Sequence, residues 1–258
     1  MKKIVYILAS VICMTFYACE FDNYDLPNET LTGKIIDKVT GQTLQTDAGG
    51  NGTNGNGIRI ELLEYSWSDN PLPYYFYCKQ DGSFNNTKIF KGNYRVNPEG
   101  AFVPLIQYDD EGKIVSDQSR TLDIKGVTEV NFEVEPFLRV EWIGEPVING
   151  DGTATIKVKV TRGTDNPAYQ QRLTDVCLYF NEVPYVGDYG YDSRYTKRVA
   201  YSGNTGNDAL GTEISITTNG KFPSNRTYYL RVGARIDCTI AGVKRYNYNE
   251  PKKIVVPE

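Results

Sequence analysis

Residues 149–160 read Asn149-Gly150-Asp151-Gly152-Thr153-Ala154-Thr155-Ile156-Lys157-Val158-Lys159-Val160. The first four are turn residues, because Gly and Asn accept the backbone angles of a tight reversal. The remainder has a period of two: Ala154, Ile156, Val158 and Val160 fall on one side, Thr155, Lys157 and Lys159 on the other. Successive side chains of a strand point to opposite faces, so this segment has one dry and one wet face. Leu138, Val140 and Trp142 lead into the same turn, which predicts a hairpin; Trp142 is assigned to the core.

The same period extends outward from this hairpin. Downstream, Tyr228, Leu230, Val232, Ala234 and Ile236 alternate with Tyr229, Arg231 and Arg235, and Tyr246 to Val256 would close the sheet. Upstream, Ile58, Ile60 and Leu62 alternate with Arg59 and Glu61, and Val130, Phe132 and Val134 with Asn131 and Glu133. Asp81-Gly82, Lys91-Gly92, Glu111-Gly112 and Lys125-Gly126 punctuate the strands, and no amphipathic pattern of three helical turns stands out. The chain therefore reads as all-β. One-sided strands need a second layer, which predicts β-sandwiches. Pro136 lacks the N–H a ladder needs, so the expected division is 29–135 and 136–258, two consecutive sandwiches.

The motifs Leu31-Thr32-Gly33-Lys34-Ile35-Ile36-Asp37, Thr40-Gly41, Asp81-Gly82-Ser83-Phe84 and Lys91-Gly92-Asn93-Tyr94 resemble the prealbumin-like or carboxypeptidase-regulatory-like sandwich. Pro223 to Ala234 resembles the penultimate strand of a fibronectin type III, immunoglobulin-like sandwich. Both resemblances imply a fold and no chemistry.

The N-terminus carries an address. Lys2 and Lys3 precede an apolar run, Ile4 to Tyr17, too short and too interrupted by Ser10 and Thr15 to span a bilayer, and Ala18 is a small pre-cleavage residue. Phe16-Tyr17-Ala18-Cys19 resembles the lipobox of bacterial lipoproteins, with Phe16 where Leu is usual. The resemblance implies that residues 1–18 are a signal peptide and that Cys19 becomes an acylated first residue, a permanent membrane anchor. Residues 19–28 then form a tether. Glu20 to Pro27 is acidic, and acidic residues directly behind such a cysteine resemble the export signal that sends lipoproteins of gut Gram-negative anaerobes to the outer face of the outer membrane; a merely soluble tether would have the same composition. Taken whole, the chain resembles a family of uncharacterised two-domain lipoproteins encoded in glycan-utilisation loci. That resemblance implies an outer-membrane, cell-surface protein beside a starch-utilisation-type porin and its glycan-capturing lipoprotein. Its expected role there is accessory binding or presentation of polysaccharide or oligosaccharide. The alternative is a non-catalytic scaffold packing against the transporter without contacting sugar.

Composition narrows the chemistry. Of 28 basic residues Lys2 and Lys3 lie in the leader, leaving 26 against 32 acidic ones, and no basic run is longer than a pair such as Lys197-Arg198. A nucleic-acid partner is not expected. Histidine is absent, which removes histidine-based nucleophile activation, general bases and metal ligands. Glycoside hydrolysis can run on two carboxylates, but Glu133 and Glu135 read as the wet side of a strand, and no enzyme activity, cofactor or metal is expected. The Gly/Asn-rich stretch Asp47 to Gly57 has oxygen ligands but no closing Glu for calcium, and reads as a surface loop. Cys78, Cys177 and Cys238 remain in the folded part. An oxidising envelope permits a Cys177–Cys238 disulfide, but alternation turns Cys238 inward and sets Cys177 opposite to Val176 and Leu178.

Tyrosine, at 20 residues, is abundant and clumped. Tyr185, Tyr189, Tyr191 and Tyr195 lie in a Gly- and Asp-containing stretch from Pro184 to Tyr201 with the composition of a loop, and Trp67 lies among Tyr65 to Tyr77, a stretch extended by two prolines. Aromatic faces stack on sugar C–H groups and hydroxyls bond to sugar hydroxyls, which makes these five the candidate ligand-binding residues. Packing over sheet edges is the other reading of the same residues.

Overall fold

The computed structural model describes residues 25–49 and 56–258; residues 1–24, Cys19 among them, and residues 50–55 lie outside the described residues. The first half contains β1 (Glu29–Asp37), β2 (Arg59–Glu64), β3 (Tyr74–Tyr77), β4 (Ser83–Ile89), β5 (Gly92–Glu99), β6 (Ile106–Tyr108), β7 (Ile114–Asp117), β8 (Arg120–Ile124), β9 (Val127–Glu129) and β10 (Phe132–Val134). The second contains β11 (Leu138–Trp142), β12 (Val147–Ile148), β13 (Ala154–Arg162), β14 (Leu173–Asn181), β15 (Lys197–Ala200), α1 (Thr205–Ala209), β16 (Glu213–Thr217), β17 (Arg226–Ile236), β18 (Asn247–Tyr248) and β19 (Lys252–Val256). α1, of five residues, is the only α-helix among the described residues.

The fold is all-β and built from β-sandwiches. In the first, the sheet β10-β1-β4, with β9 also on β1, faces the sheet β3-β2-β5-β8 across a core that includes Leu31, Ile35, Ile60, Leu62, Phe84 and Phe132. In the second, β11-β13-β12 with β16 faces β15-β14-β17-β18 with β19 across Ile156, Val158, Val176, Leu178, Tyr228 and Val232. The hairpin read from residues 149–160 is present: Ile148 pairs with Ala154, and β11 pairs with β13 from Leu138↔Arg162 to Trp142↔Val158. Trp142 sits at the rim of this core, half-buried, its indole N–H donating to the Glu250 carbonyl at 2.9 Å.

The two sandwiches interlock. Ala101 and Val103 precede Pro136 in sequence, yet both are buried in the second core. The Ala101 carbonyl accepts from the Phe137 N–H at 3.1 Å and from the Asn247 amide at 2.8 Å, while the Asn247 amide oxygen accepts from the Leu138 N–H at 3.0 Å. Asp37 on β1 takes a two-pronged bond from Arg139 on β11, at 2.6 and 2.8 Å. The expected inward and outward faces of β17 need one revision at this junction. Tyr228, Leu230, Val232, Ala234 and Ile236 are 0–2% exposed, matching the dry face, but Arg231, on the supposedly wet face, is 0% exposed because the first sandwich covers it.

Candidate functional site

Cys177 and Tyr179 of β14, with Tyr246 and Tyr248 at β18, turn away from the second core and form a small aromatic cluster against the first sandwich, joined by Val186 from the loop after β14. Alternation explains the split, since Val176, Leu178 and Phe180 point the other way. Tyr179 meets Tyr246 edge-on at 5.9 Å between ring centres. Cys177 is therefore on the opposite face of the sheet from Cys238, which packs against the main core; both are free thiols. Burial pushes the Cys177 thiol up to about 12, so it stays protonated and inert at neutral pH.

Two buried arginines and two buried aspartates fix this seam. The Arg231 guanidinium lies 3.9 Å from the centre of the Tyr248 ring and donates from Nη1 to the carbonyls of Thr46 at 2.9 Å and Val186 at 3.3 Å. Burial lowers its pKa to about 10, which still leaves it charged at neutral pH. Tyr248 donates its hydroxyl proton to Asp47 Oδ2 at 2.9 Å, placing a carboxylate on the far edge of the ring that faces the cation. Burial raises the Asp47 pKa, and the Tyr248 bond, the Arg231 charge and the N–H groups of Tyr189 and Ala48 oppose that rise. Arg245, 4% exposed, donates to Gly57 O at 3.2 Å and Ile240 O at 2.7 Å. Asp175, 2% exposed, accepts from Arg235 at 2.8 Å, Arg198 at 2.5 Å, Thr174 at 2.8 Å and the Tyr246 hydroxyl.

This seam holds the loop between β14 and β15. Gln80, from the first sandwich, acts as a surrogate strand: its amide oxygen accepts from the Val186 N–H at 2.9 Å and its amide nitrogen donates to the Pro184 carbonyl at 3.2 Å. Val186 is 1% exposed and plugs the seam. Gly187 and Gly190 then exchange backbone bonds at 3.1 and 3.2 Å, which lifts Asp188 and Tyr189 to the tip of a tight reversal. The tip is tied down by the Tyr189 N–H to Asp47 at 3.0 Å, the Tyr179 hydroxyl to Asp188 Oδ1 at 2.9 Å and the Asn56 amide to Asp188 Oδ2 at 2.7 Å. Asp47, expected to open a surface loop, is instead the buried post to which this second-sandwich loop is fastened.

The candidate residues fall into three places. Tyr185, Tyr189 and Tyr191 stand on this clamped loop at 63, 57 and 46% exposure. Tyr185 borders a cleft of about 500 Å³ between the sandwiches, with Gln45, Lys79, Tyr229 and Glu250. Tyr191 leans on Tyr179 at 5.5 Å and borders a polar cleft of about 400 Å³ with Lys197, Arg198 and Asn219. Tyr195 does not belong with them: at 3% exposure it packs on Phe222 at 4.4 Å and Tyr228 at 5.4 Å inside the second core. Four residues past Tyr191 the chain has already turned back towards β15, and the Tyr195 ring serves the sandwich rather than the surface. Trp67 is 64% exposed but lies on the β2–β3 loop, beyond the far end of the first sandwich. Cys19, the expected lipid attachment, lies outside the described residues. Glu133 is exposed, and Glu135 is occupied by Lys38 and by the Thr164 hydroxyl at 2.6 Å, so the two do not converge.

Gly187 is required by close approach. A Cβ there would sit 2.7 Å from Asp47 Oδ1, and its neighbour is a buried carboxylate with no room to retreat. Gly187→Ala is expected to cost about 1–3 kcal/mol and to loosen the loop tip, since overpacking at a closed contact is relieved by moving backbone. Hydrogen exchange checks this: the Tyr189 amide should lose protection while amides of β14 and β17 keep theirs.

The described residues thus form β-sandwiches with an aromatic loop fastened between them. The chain belongs to the DUF3823 family. The profile described as "Protein of unknown function (DUF3823) N-terminal domain" matches residues 29–135. The crystal structure of a DUF3823 family protein from Bacteroides uniformis is 36% identical, with a TM-score of 0.83, covering 90% of this chain and 100% of that one. The chain is also similar in fold to a protein from the same organism described as a "putative carbohydrate binding protein", at 20% identity and a TM-score of 0.66 over 89% of this chain and 100% of that one. A DUF3823 family protein from Parabacteroides merdae shares 19% identity and a TM-score of 0.61, over 89% and 100%. No curated protein matches the chain.

Proposed function

We propose that this protein is a non-catalytic, lipid-anchored protein of the outer cell surface that binds glycan as an accessory to a polysaccharide-uptake system. The observation that carries the reading is the display of Tyr185, Tyr189 and Tyr191, half to two-thirds exposed, on a loop whose backbone is held from both sandwiches. Exposed rings on a floppy loop would lose entropy on binding, whereas rings on a fastened loop keep most of their affinity. Tyrosine supplies an apolar face for sugar C–H groups and a hydroxyl for sugar oxygens. The flanking clefts add amide, ammonium and carboxylate groups, and their volumes fall in the range of ordinary ligand sites. The family relationship and the carbohydrate-binding description of one fold relative agree with this reading.

Titrating the purified chain against a panel of soluble polysaccharides tests it. Replacing Tyr189 and Tyr191 together by alanine is expected to weaken binding by about tenfold or more, the worth of two stacking contacts. Trp67→Ala should leave that affinity unchanged, because Trp67 lies on a different part of the surface. Absence of binding across the panel, or binding indifferent to the tyrosines, overturns the proposal. Stoichiometric recovery of a transporter without sugar affinity would replace it with the scaffold reading, since exposed tyrosines also serve protein interfaces.

A further inference from the structure

The first sandwich has two ends of opposite character. The end that meets the second sandwich carries Asp37, Thr46, Asp47, Gly57 and Gln80, every one of them bonded across the junction. The other end is where the described chain enters. There Glu29 pairs with Ile89, and the Thr30 N–H donates to Gly126 O at 2.8 Å. The Tyr65 N–H donates to Asn93 O at 2.8 Å, and the Asn93 N–H donates to Ser66 Oγ at 2.7 Å. These bonds gather the chain entrance, the β2–β3 loop, the β4–β5 turn and the β8–β9 turn at one pole.

That pole is apolar. Leu26 is 74% exposed, Trp67 64%, Leu72 91%, Phe90 42% and Val127 77%. Leu72 at 91% is a side chain in almost no contact with its own protein. Lys88, Lys91 and Lys125 are exposed around these residues. Asp25, Glu29, Glu64, Asp69 and Asp123 lie at the same end, so the three lysines do not make it basic, and the large exposed side chains there are apolar. Monomers rarely collect large apolar side chains at one tip unless something covers it.

We infer that the pole bearing Leu26, Trp67, Leu72, Phe90 and Val127 rests in the headgroup layer of a phospholipid bilayer. The occupant is set by where the chain goes. Cys19 lies ten residues before Glu29, and the described chain enters at this pole, so an acylated Cys19 would tether the protein to the membrane from this end. A Trp with aliphatic and aromatic neighbours is the side-chain set that partitions to the bilayer interface, the indole sitting at headgroup depth. β1 runs from this pole to the junction, nine residues in all, or about 25 Å at strand rise. With this pole on the lipid, the sandwich is a rigid spacer of about that length between the bilayer and the Tyr185–Tyr191 loop. The inference rests on the anchor reading of Cys19, and its test separates the two.

The chain has two tryptophans, so fluorescence resolves the pole from the rest. The full chain, expressed with its leader in a Gram-negative host, would be reconstituted into vesicles of phosphatidylethanolamine and phosphatidylglycerol carrying bromine on the acyl chains. In a Trp142→Phe background, Trp67 emission is expected to shift to the blue and to fall about twofold or more, and to do so equally at low and high salt, because the attachment is apolar. In a Trp67→Phe background, Trp142, half-buried in the second sandwich, is expected to be unaffected. Leu72→Ser should reduce the quenching of Trp67 without altering the fold, since Leu72 is nearly fully exposed. Mass spectrometry of the same sample reads the anchor. Unquenched Trp67 on an acylated chain overturns the inference alone; an unmodified Cys19 removes the tether and overturns the inference together with the anchor.

Discussion

Arg231→Met should lower the melting temperature by roughly 10–15 °C, the largest stability loss expected from one substitution in this chain. Arg231 is 0% exposed, and its removal leaves the carbonyls of Thr46 and Val186 without that donor and the buried Asp47 without its neighbouring positive charge. Breaking a buried charge pair by deleting one member costs about 3–5 kcal/mol, and each kcal/mol shifts the midpoint of a domain this large by about 2–4 °C. The test of mechanism is the double variant. Asp47→Asn removes the stranded negative charge, so Arg231→Met with Asp47→Asn should be more stable than the sum of the two single losses. Simple additivity would mean that Arg231 acts through packing and its carbonyl bonds alone. Differential scanning calorimetry on the four proteins decides it.

The second large effect is at Asp175. Asp175→Ala is expected to destabilise by about 3 kcal/mol, because Arg235, half-screened Arg198 and the Tyr246 hydroxyl lose a shared buried acceptor and the two guanidinium groups are left facing each other. Its pH dependence has a definite sign. Burial pushes the Asp175 carboxyl upward, but hydrogen bonds from Tyr246, Arg235, Thr174 and Arg198 outweigh this and hold it below its ordinary 3.8. A carboxyl lowered in the folded state stabilises above the unfolded value and loses that contribution as pH falls through the folded one. Asp37, lowered in the same way against burial by Arg139, adds to the trend. Asp47, raised by burial, has the opposite sign and is relieved on acidification. The melting temperature should accordingly stay level between about pH 7 and 5 and fall below about pH 4. In Asp175→Asn the acid fall should be smaller, because the stabilisation is already gone. An undiminished fall in Asp175→Asn would assign the acid limb to other carboxylates.

Much of the framework was legible from the period of two. The 149–160 hairpin, the dry face of β17 and the turns at Asp81-Gly82 and Glu111-Gly112 formed where the residues indicated, because each depends on neighbours only a few positions away. Whatever depended on distant neighbours was not legible. Arg231 alternates as a wet residue and is dry, because the surface that covers it comes from Thr46 and Val186, 185 and 45 residues distant. Tyr195 has the composition of its loop but the position of a core residue, and nothing nearby signals that Phe222 and Tyr228 await it. Trp67 and the loop tyrosines are alike as residue types, yet β1 separates them along its length. The clamp residues Gln80, Asp47 and Tyr248 carried no motif, since each works through bonds to residues far away in the chain.

The seam at Ala101 joins stretches that lie far apart along the chain. The carbonyl of Ala101 and the N–H of Leu138 are both claimed by one side chain, Asn247, which lies near the carboxyl end. The same carbonyl also accepts from the Phe137 N–H, so the hem of the earlier sandwich is stitched to the later one by backbone and side chain alike. Asn247 thus works as a latch across three stretches of chain, its one amide closing on the Ala101 carbonyl and the Leu138 N–H together.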